Sequence, residues 1–359
     1  MEEDPKTAPE VKKAGARIMG WVGTTTALIG LFGSIVGGAT WVITHHKQKV
    51  EREQKSNLAQ GQLKQGEYQA AIQTYGDILK DNPLDREALD QQVNAAMVWI
   101  EDFHFTFREG QDSAAIAATA LDQITPILDA GLTRSKGSQG ADIQAHLGEA
   151  HWFNQKMAHR EFGATAEQDF HAALVLDPSN VYANAMLANW MLLNGGTVSD
   201  AMRLFDTAVA TGRDRTFVRN LEFGSLTYLD KPGSRAAQIR IANDVRTSGE
   251  PLNAGYRSRI LSFCFNSILT DHGELAESLS AVPPDEAWKT YLWLSPEPSE
   301  KPQSLEPDFV EASLLEISGK KTEALAKFKA LQHQLPNDGT TMKHQVDAAI
   351  TRLSRAKSA

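Results

Sequence analysis

Residues 64–83 read Lys64-Gln-Gly-Glu-Tyr-Gln-Ala-Ala-Ile-Gln-Thr-Tyr-Gly-Asp-Ile-Leu-Lys-Asp-Asn-Pro83, and this stretch decides the fold. Gly66 permits a tight turn between two helices, because glycine adopts the left-handed backbone that commonly follows a helix. Ala71 is small where the second helix crosses the first, and Tyr75, one turn on, fills the groove beside it. Pro83 cannot continue a helix, so it closes the unit and opens the next. The stretch reads as the second half of a helical hairpin.

The same spacing recurs. An alanine, an aromatic four residues on and a proline twelve after the alanine appear again as Ala166, Phe170, Pro178 and as Ala324, Phe328, Pro336. Ala201, Phe205 and Ala208 keep the first part but reach Arg213 where proline would stand. Gly319 precedes Ala324 as Gly66 precedes Ala71. In these segments the chain resembles the tetratricopeptide repeat family, with first helices marked by Leu147-Gly148 and Ala150, and by Leu187-Ala188. The match covers units near 52–85, 141–180, 181–214 and 305–338, the second of them with extra residues around Lys156–Gly163.

Between these units helical periodicity persists while the signature decays. Glu87–Phe103 and Ser113–Leu128 read as a long antiparallel pair, with Asp112 placed to cap the second. Arg215–Leu229, Arg235–Arg246, Ala254–Leu269 and Glu274–Leu279 read as further hairpins stacking in the same array. Ala281–Glu306 is proline-rich and reads as irregular, its Trp288, Tyr291 and Trp293 packing back on the array. Thr341–Arg355 reads as an amphipathic helix closing the final repeat, which such arrays need. The repeat array is expected over 57–357.

Every residue from Ile18 to Thr44 is uncharged. An α-helix needs roughly 20 mostly apolar residues to cross a bilayer, and Trp21 and Trp41 sit near the ends, where their rings prefer the headgroups. The preceding tail, 1–17, is long and mixed in charge, and no small-residue cleavage site follows, so the run reads as an uncleaved anchor. Residues 45–56 read as a juxtamembrane linker. Thr26, Gly30, Ser34 and Gly38 fall on one face, with Gly33 and Gly37 in a GxxxG beside it. Small residues let helix backbones approach in lipid, so this face points to a homo-oligomer or a membrane partner. Flanking Lys and Arg tie between the two sides (Lys6, Lys12, Lys13, Arg17 against Lys47, Lys49, Arg52, Lys55), and acidic residues tip the array slightly towards the cytoplasm. The expectation is a single-pass protein of a bacterial inner membrane.

The fold class is thus all-α: a single N-terminal transmembrane helix followed by a tetratricopeptide-like α-helical-hairpin solenoid. The net charge of −9 and pI near 5.6 argue against nucleic acid, whose affinity comes largely from cations on phosphates. One cysteine, Cys264, excludes an internal disulfide framework and any Cys-rich zinc site. His146 and His151 are five apart, off the single face that a helical zinc pair needs. Gly137-Ser138-Gln139-Gly140 is a flexible link, because Lys136 replaces the first glycine of a nucleophile elbow. No phosphate loop or dinucleotide fingerprint occurs, so no cofactor and no catalytic constellation is read.

The resemblance implies that stacked first helices line a concave groove for a protein or peptide partner. Carried over residue by residue, the groove positions are Asp142, Glu149 and Trp152 in one unit and Tyr182 and Asn189 in the next. Where a subset of the family grips C-terminal carboxylates with lysine and asparagine, this chain has Ser56 and Gln60. The function implied is a membrane-anchored scaffold for protein–protein interaction. The alternatives are an accessory subunit holding clients for a membrane enzyme or translocase, and an enzyme with an unrecognised site in 215–306.

Overall fold

The computed structural model describes residues 45–106, 113–156, 165–213, 215–229, 231–265, 272–295, 305–336 and 341–355, and the regular elements among them are all helices. The expected span Ile18–Thr44 and its association face (Thr26, Gly30, Gly33, Ser34, Gly37, Gly38) lie outside the described residues, as does Asp112. Among the described residues no helix is long and apolar enough to cross a membrane. The chain forms two compact units, Met1–Trp99 and Ile100–Ala359.

In the first unit, α1 (residues 45–64) pairs with α2 (Tyr68–Asp81). Gly66 takes φ 76° in the turn between them, as Gly319 takes φ 75° in the last hairpin. Apolar residues recur on one face of α2, so Ala71, Ile72, Tyr75 and Ile78 are buried. Across the pair, the Thr74 hydroxyl donates to Gln62 at 2.9 Å and Lys55 meets Asp81 at 2.7 Å. Arg52 forks onto Asp85 and Glu87 at the start of α3 (Arg86–Thr106). Asp85 also accepts from the Ala88 amide at 3.1 Å, capping that helix. Residues 45–56 are therefore part of α1 and not a linker. They contain no Gly or Pro, and Lys47–Glu51 and Lys49–Glu53 pair one turn apart.

The second unit stacks hairpins around a contiguous core that runs from Ala141 to Leu353. Its elements are α4 (Ser113–Arg134), α5 (Gly137–Lys156), α6 (Ala166–Leu176), α7 (Val181–Leu193), α8 (Val198–Ala210), α9 (Arg215–Leu229) and α10 (Ser234–Ser248). Then come α11 (Ala254–Ile260), which passes into a π-type turn at Leu261–Phe265, α12 (His272–Ser280), α13 (Pro284–Leu294), α14 (Glu306–Ile317), α15 (Lys321–Gln334) and α16 (Thr341–Arg355). The packed pairs include α5 with α6, α7 with α8, α14 with α15, and α16 on α15.

The motif residues are what join each pair. Phe170, Phe205 and Phe328 are fully buried, together with Ala166, Ala201 and Ala324. A Cβ added at Gly148 would meet the Phe170 ring at 2.8 Å and Asp169 Cβ at 2.9 Å, so α5 and α6 approach closely only because that position is glycine. Thr165 and Gln168 form a reciprocal capping box on α6, and Asn180 and Thr197 cap α7 and α8. The stretch Ala281–Glu306 is not irregular throughout, because α13 occupies Pro284–Leu294 within it. Pro283 and Pro284 stand at the N-cap and first turn, where proline costs no hydrogen bond, and Asp285 and Glu286 complement the helix dipole.

Candidate functional site

The five groove positions fall on α5 and α7, and the contacts around them run from one repeat to the next. Asn180 donates to Asp142 across that junction. The Tyr182 ring lies 3.7 Å from the His146 ring at 9° and 4.9 Å from the Phe217 ring at 20°. Ser225 donates to Asn189 Oδ1 at 2.6 Å. A ladder of rings and short polar groups thus crosses α5, α7 and α9.

This ladder closes the face that the resemblance leaves open. Glu149 is 0%, Tyr182 6% and Asn189 7% exposed, and every residue of α7 from Val181 to Asn189 is buried. The expectation that these three residues face a groove is not met. Tyr182 and Asn189 bind neighbouring repeats instead, because rings and short polar side chains one repeat apart meet directly. Asp142 is half-buried and held by Asn180. Trp152 is half-buried, set edge-on to Phe153 with centroids 4.7 Å apart. Asp142 and Trp152 are the two groove positions that are only half-buried.

The histidines of α5 serve the packing. His146 Nε2 lies 3.0 Å from Glu101 and its Nδ1 lies 2.6 Å from the Asp142 carbonyl. Burial works against a charge on this ring, but Glu101, the Asp142 carbonyl and Glu149 outweigh it and hold the imidazole above its ordinary range. His151 Nδ1 lies 2.7 Å from Asp169. Among the described residues no cluster of three or more His, Cys, Asp or Glu is placed to hold a metal ion.

Further along, α9 carries a buried ion pair that no motif in the sequence marks. Arg219 donates to Glu222 at 2.8 Å and to Glu250 at 3.4 Å. Glu222 is fully buried, and its second oxygen, Oε1, has no hydrogen-bond partner. Burial pushes the Glu222 carboxyl up to about 7 against the pull of Arg219. Gln238 on α10, also fully buried, leaves its amide nitrogen unbonded.

Around α11 the chemistry changes again. The guanidinium of Arg235 lies 4.5 Å above the Phe263 ring, that of Arg257 5.0 Å above Trp293, and that of Arg259 5.9 Å from Tyr256. Trp288 stacks on Tyr291 at 5.5 Å, and Tyr291 meets Phe265 at 5.2 Å. Cys264 is buried, with its sulfur 3.6 Å from the Arg235 carbonyl. The described residues also form shallow depressions. One of about 280 Å³ is lined by Lys231, Arg235, Glu277 and Ser278. Another, about 580 Å³ in the first unit, is lined by α1 and the end of α2, and its Arg52 and Lys55 are already matched by Asp85 and Asp81.

Packed antiparallel hairpins joined by buried Ala–aromatic pairs define an all-α helical-hairpin repeat protein. Among solved structures, the chain is similar in fold to a tetratricopeptide repeat protein from Parabacteroides merdae, at 10% identity over 84% of this chain and 98% of that one, with a TM-score of 0.38. No protein-family model matches the sequence. No curated protein matches it either.

Proposed function

We propose that this protein is a helical-repeat scaffold that binds another protein, tethered to a membrane by Ile18–Thr44. The observation that supports it best is the repeated hairpin itself, with Ala–aromatic pairs buried at one spacing in α2, α6, α8 and α15. Stacked hairpins of this kind bury a continuous core and present long surfaces to partners. The tether rests on the uncharged run, its tryptophans and its length. Through Thr26, Gly30, Ser34 and Gly38 the tether would also pair copies in the bilayer, with the array on the cytoplasmic side of a bacterial inner membrane.

The test is affinity capture from detergent-solubilised native membranes, comparing the whole chain with a version lacking residues 1–44. A specific protein retained by the whole chain, with the shortened chain recovered in the soluble fraction, is the expected outcome. Recovery of the shortened chain in the membrane fraction would sink the tether. Failure of the whole chain to retain any protein would sink the scaffold. A reporter fused after Ala359 reads the side of the membrane.

A further inference from the structure

We infer that His146 is a proton-dependent latch: with both ring nitrogens protonated it clasps the end of α3 to α5 and lies flat on α7, and loss of one proton releases the end of α3 from the ladder. The device sits within the second unit and does not depend on what the protein binds.

The two acceptors carry the argument. His146 Nδ1 lies 2.6 Å from the Asp142 carbonyl, and Nε2 lies 3.0 Å from Glu101 Oε1. A carbonyl and a carboxylate only accept, whereas a neutral imidazole has a single N–H. Both contacts are hydrogen bonds at once only in the imidazolium. Without the second proton a lone pair faces one of the two oxygens at bonding distance. His146 is 4% exposed, so little water reaches the site to supply the missing donor.

The surroundings favour the same state. The Tyr182 ring lies 3.7 Å from the imidazole and nearly parallel to it, and the negative face of an aromatic ring stabilises a cation. Glu149, buried one turn further along α5, adds its charge to that of Glu101. Burial opposes the charged ring, but these groups outweigh it. On α3, Glu101 and Asp102 are half-buried, and α7 contains no charged residue. The Asp142 carboxylate is taken by Asn180, and Asp169 on α6 is bonded to His151 and Gln144. The charged residues of α4, Asp122, Asp129 and Arg134, are exposed.

Beneath the clasp lies an apolar contact. Phe103 on α3 sits edge-on to Phe153 on α5 with centroids 4.9 Å apart, and both are buried. Opening the clasp uncovers this edge of the ladder. The folded chain holds the His146 proton more tightly than the unfolded chain does. The clasp is therefore closed below the ordinary histidine value of 6.5 and opens as pH rises through the higher folded value.

The experiment follows the histidine ring nitrogens of the whole isotope-labelled chain in detergent by NMR as pH is raised. His146 is the ring whose signals are lost in His146→Gln. Both of its nitrogens are expected to stay protonated above pH 6.5, and Glu101→Gln should move that titration to lower pH. Hydrogen exchange, read by mass spectrometry and corrected for intrinsic rates, reports on the helix. Amides of residues 100–106 should exchange roughly tenfold faster or more once pH passes the His146 titration. Glu101→Gln should lack that step, and α15 should show none. Glu222 titrates at about 7, so the exchange is repeated in Glu222→Gln, where the α3 step should persist. A single protonated nitrogen on His146 below pH 6.5 overturns the inference. So does a step shared by α15, a step lost in Glu222→Gln, or an unchanged step in Glu101→Gln, whose folding is checked by circular dichroism. Should His146→Gln not fold, the ring whose titration moves in Glu101→Gln gives the assignment, and no moved ring overturns the inference.

Discussion

Residues 141–229 and residues 234–294 are built from the same unit, a helical hairpin, yet different chemistry holds them together. In the first stretch, small residues bring helices into close contact, as Gly148 does against Phe170, and neighbouring repeats meet through stacked rings and short polar groups. In the second, long arginines bridge the gaps: Arg235 reaches the Phe263 carbonyl at 2.9 Å, and Arg246 reaches Glu286, Thr290 and Asn243. Close packing seals a surface, while bridging by arginine leaves planar donors at it. The stretch that keeps the repeat signature is therefore joined by close contact, and the stretch where the signature decays is joined by longer side chains.

The largest blow to the tightly packed stretch is Phe170→Ala. It opens a cavity at the α5–α6 crossing, and the loss should be about 3–5 kcal/mol in denaturant unfolding. A loss no greater than that of an exposed substitution would mean that the Gly148–Phe170 contact does not hold this region.

Next in size is Glu222, at the boundary between the two stretches. Its carboxyl sits at about 7 in the folded protein against an ordinary 4.5, so the folded state holds a proton that the unfolded state has released. Stability from this group is therefore greatest below about pH 4.5 and is lost as pH rises to 7 and beyond, by no more than about 3 kcal/mol. Glu222→Gln should flatten that part of the profile, measured as melting temperature between about pH 5 and pH 8, a range that brackets the folded value. An unchanged slope in the variant would assign the pH dependence to other groups.

The smallest effect is the sharpest check on the ladder. The Tyr182 hydroxyl is buried without a hydrogen-bond partner, while its ring carries the stacking. Tyr182→Phe keeps the ring and removes an unsatisfied group, so stability should stay level or rise by up to about 1 kcal/mol. A clear loss would show that the hydroxyl is bonded and the stack is built differently.

Much of the architecture is readable from residues. Gly66, Ala71, Tyr75 and Pro83 each constrain the backbone or a helix crossing locally, so one hairpin predicts the others wherever the pattern recurs. Residues 45–56 read as a linker because they lie between two recognisable segments, although the absence of Gly and Pro already argues for helix. The segment around α13 reads as irregular when its prolines are counted but not placed; at a helix start proline is favourable. The site is less legible. Whether Tyr182 faces solvent depends on how far its repeat turns against the next, and that rotation is not written in either repeat alone. Arg257 and Trp293 meet through no periodic spacing, so only the folded chain brings them together.

The ladder across α5, α7 and α9 also bears on how the second unit comes apart. Its rungs, such as His146–Tyr182 and Asn189–Ser225, join residues about one repeat apart in sequence. A chain whose contacts reach only to the next repeat has little loop entropy to overcome, and it can form or fray repeat by repeat. Buried on every side from Val181 to Asn189, α7 should be the last helix whose amides open to solvent, and the helices at either end should exchange first. The sealed repeat becomes the clamp from which the rest of the unit zips up and to which it unzips.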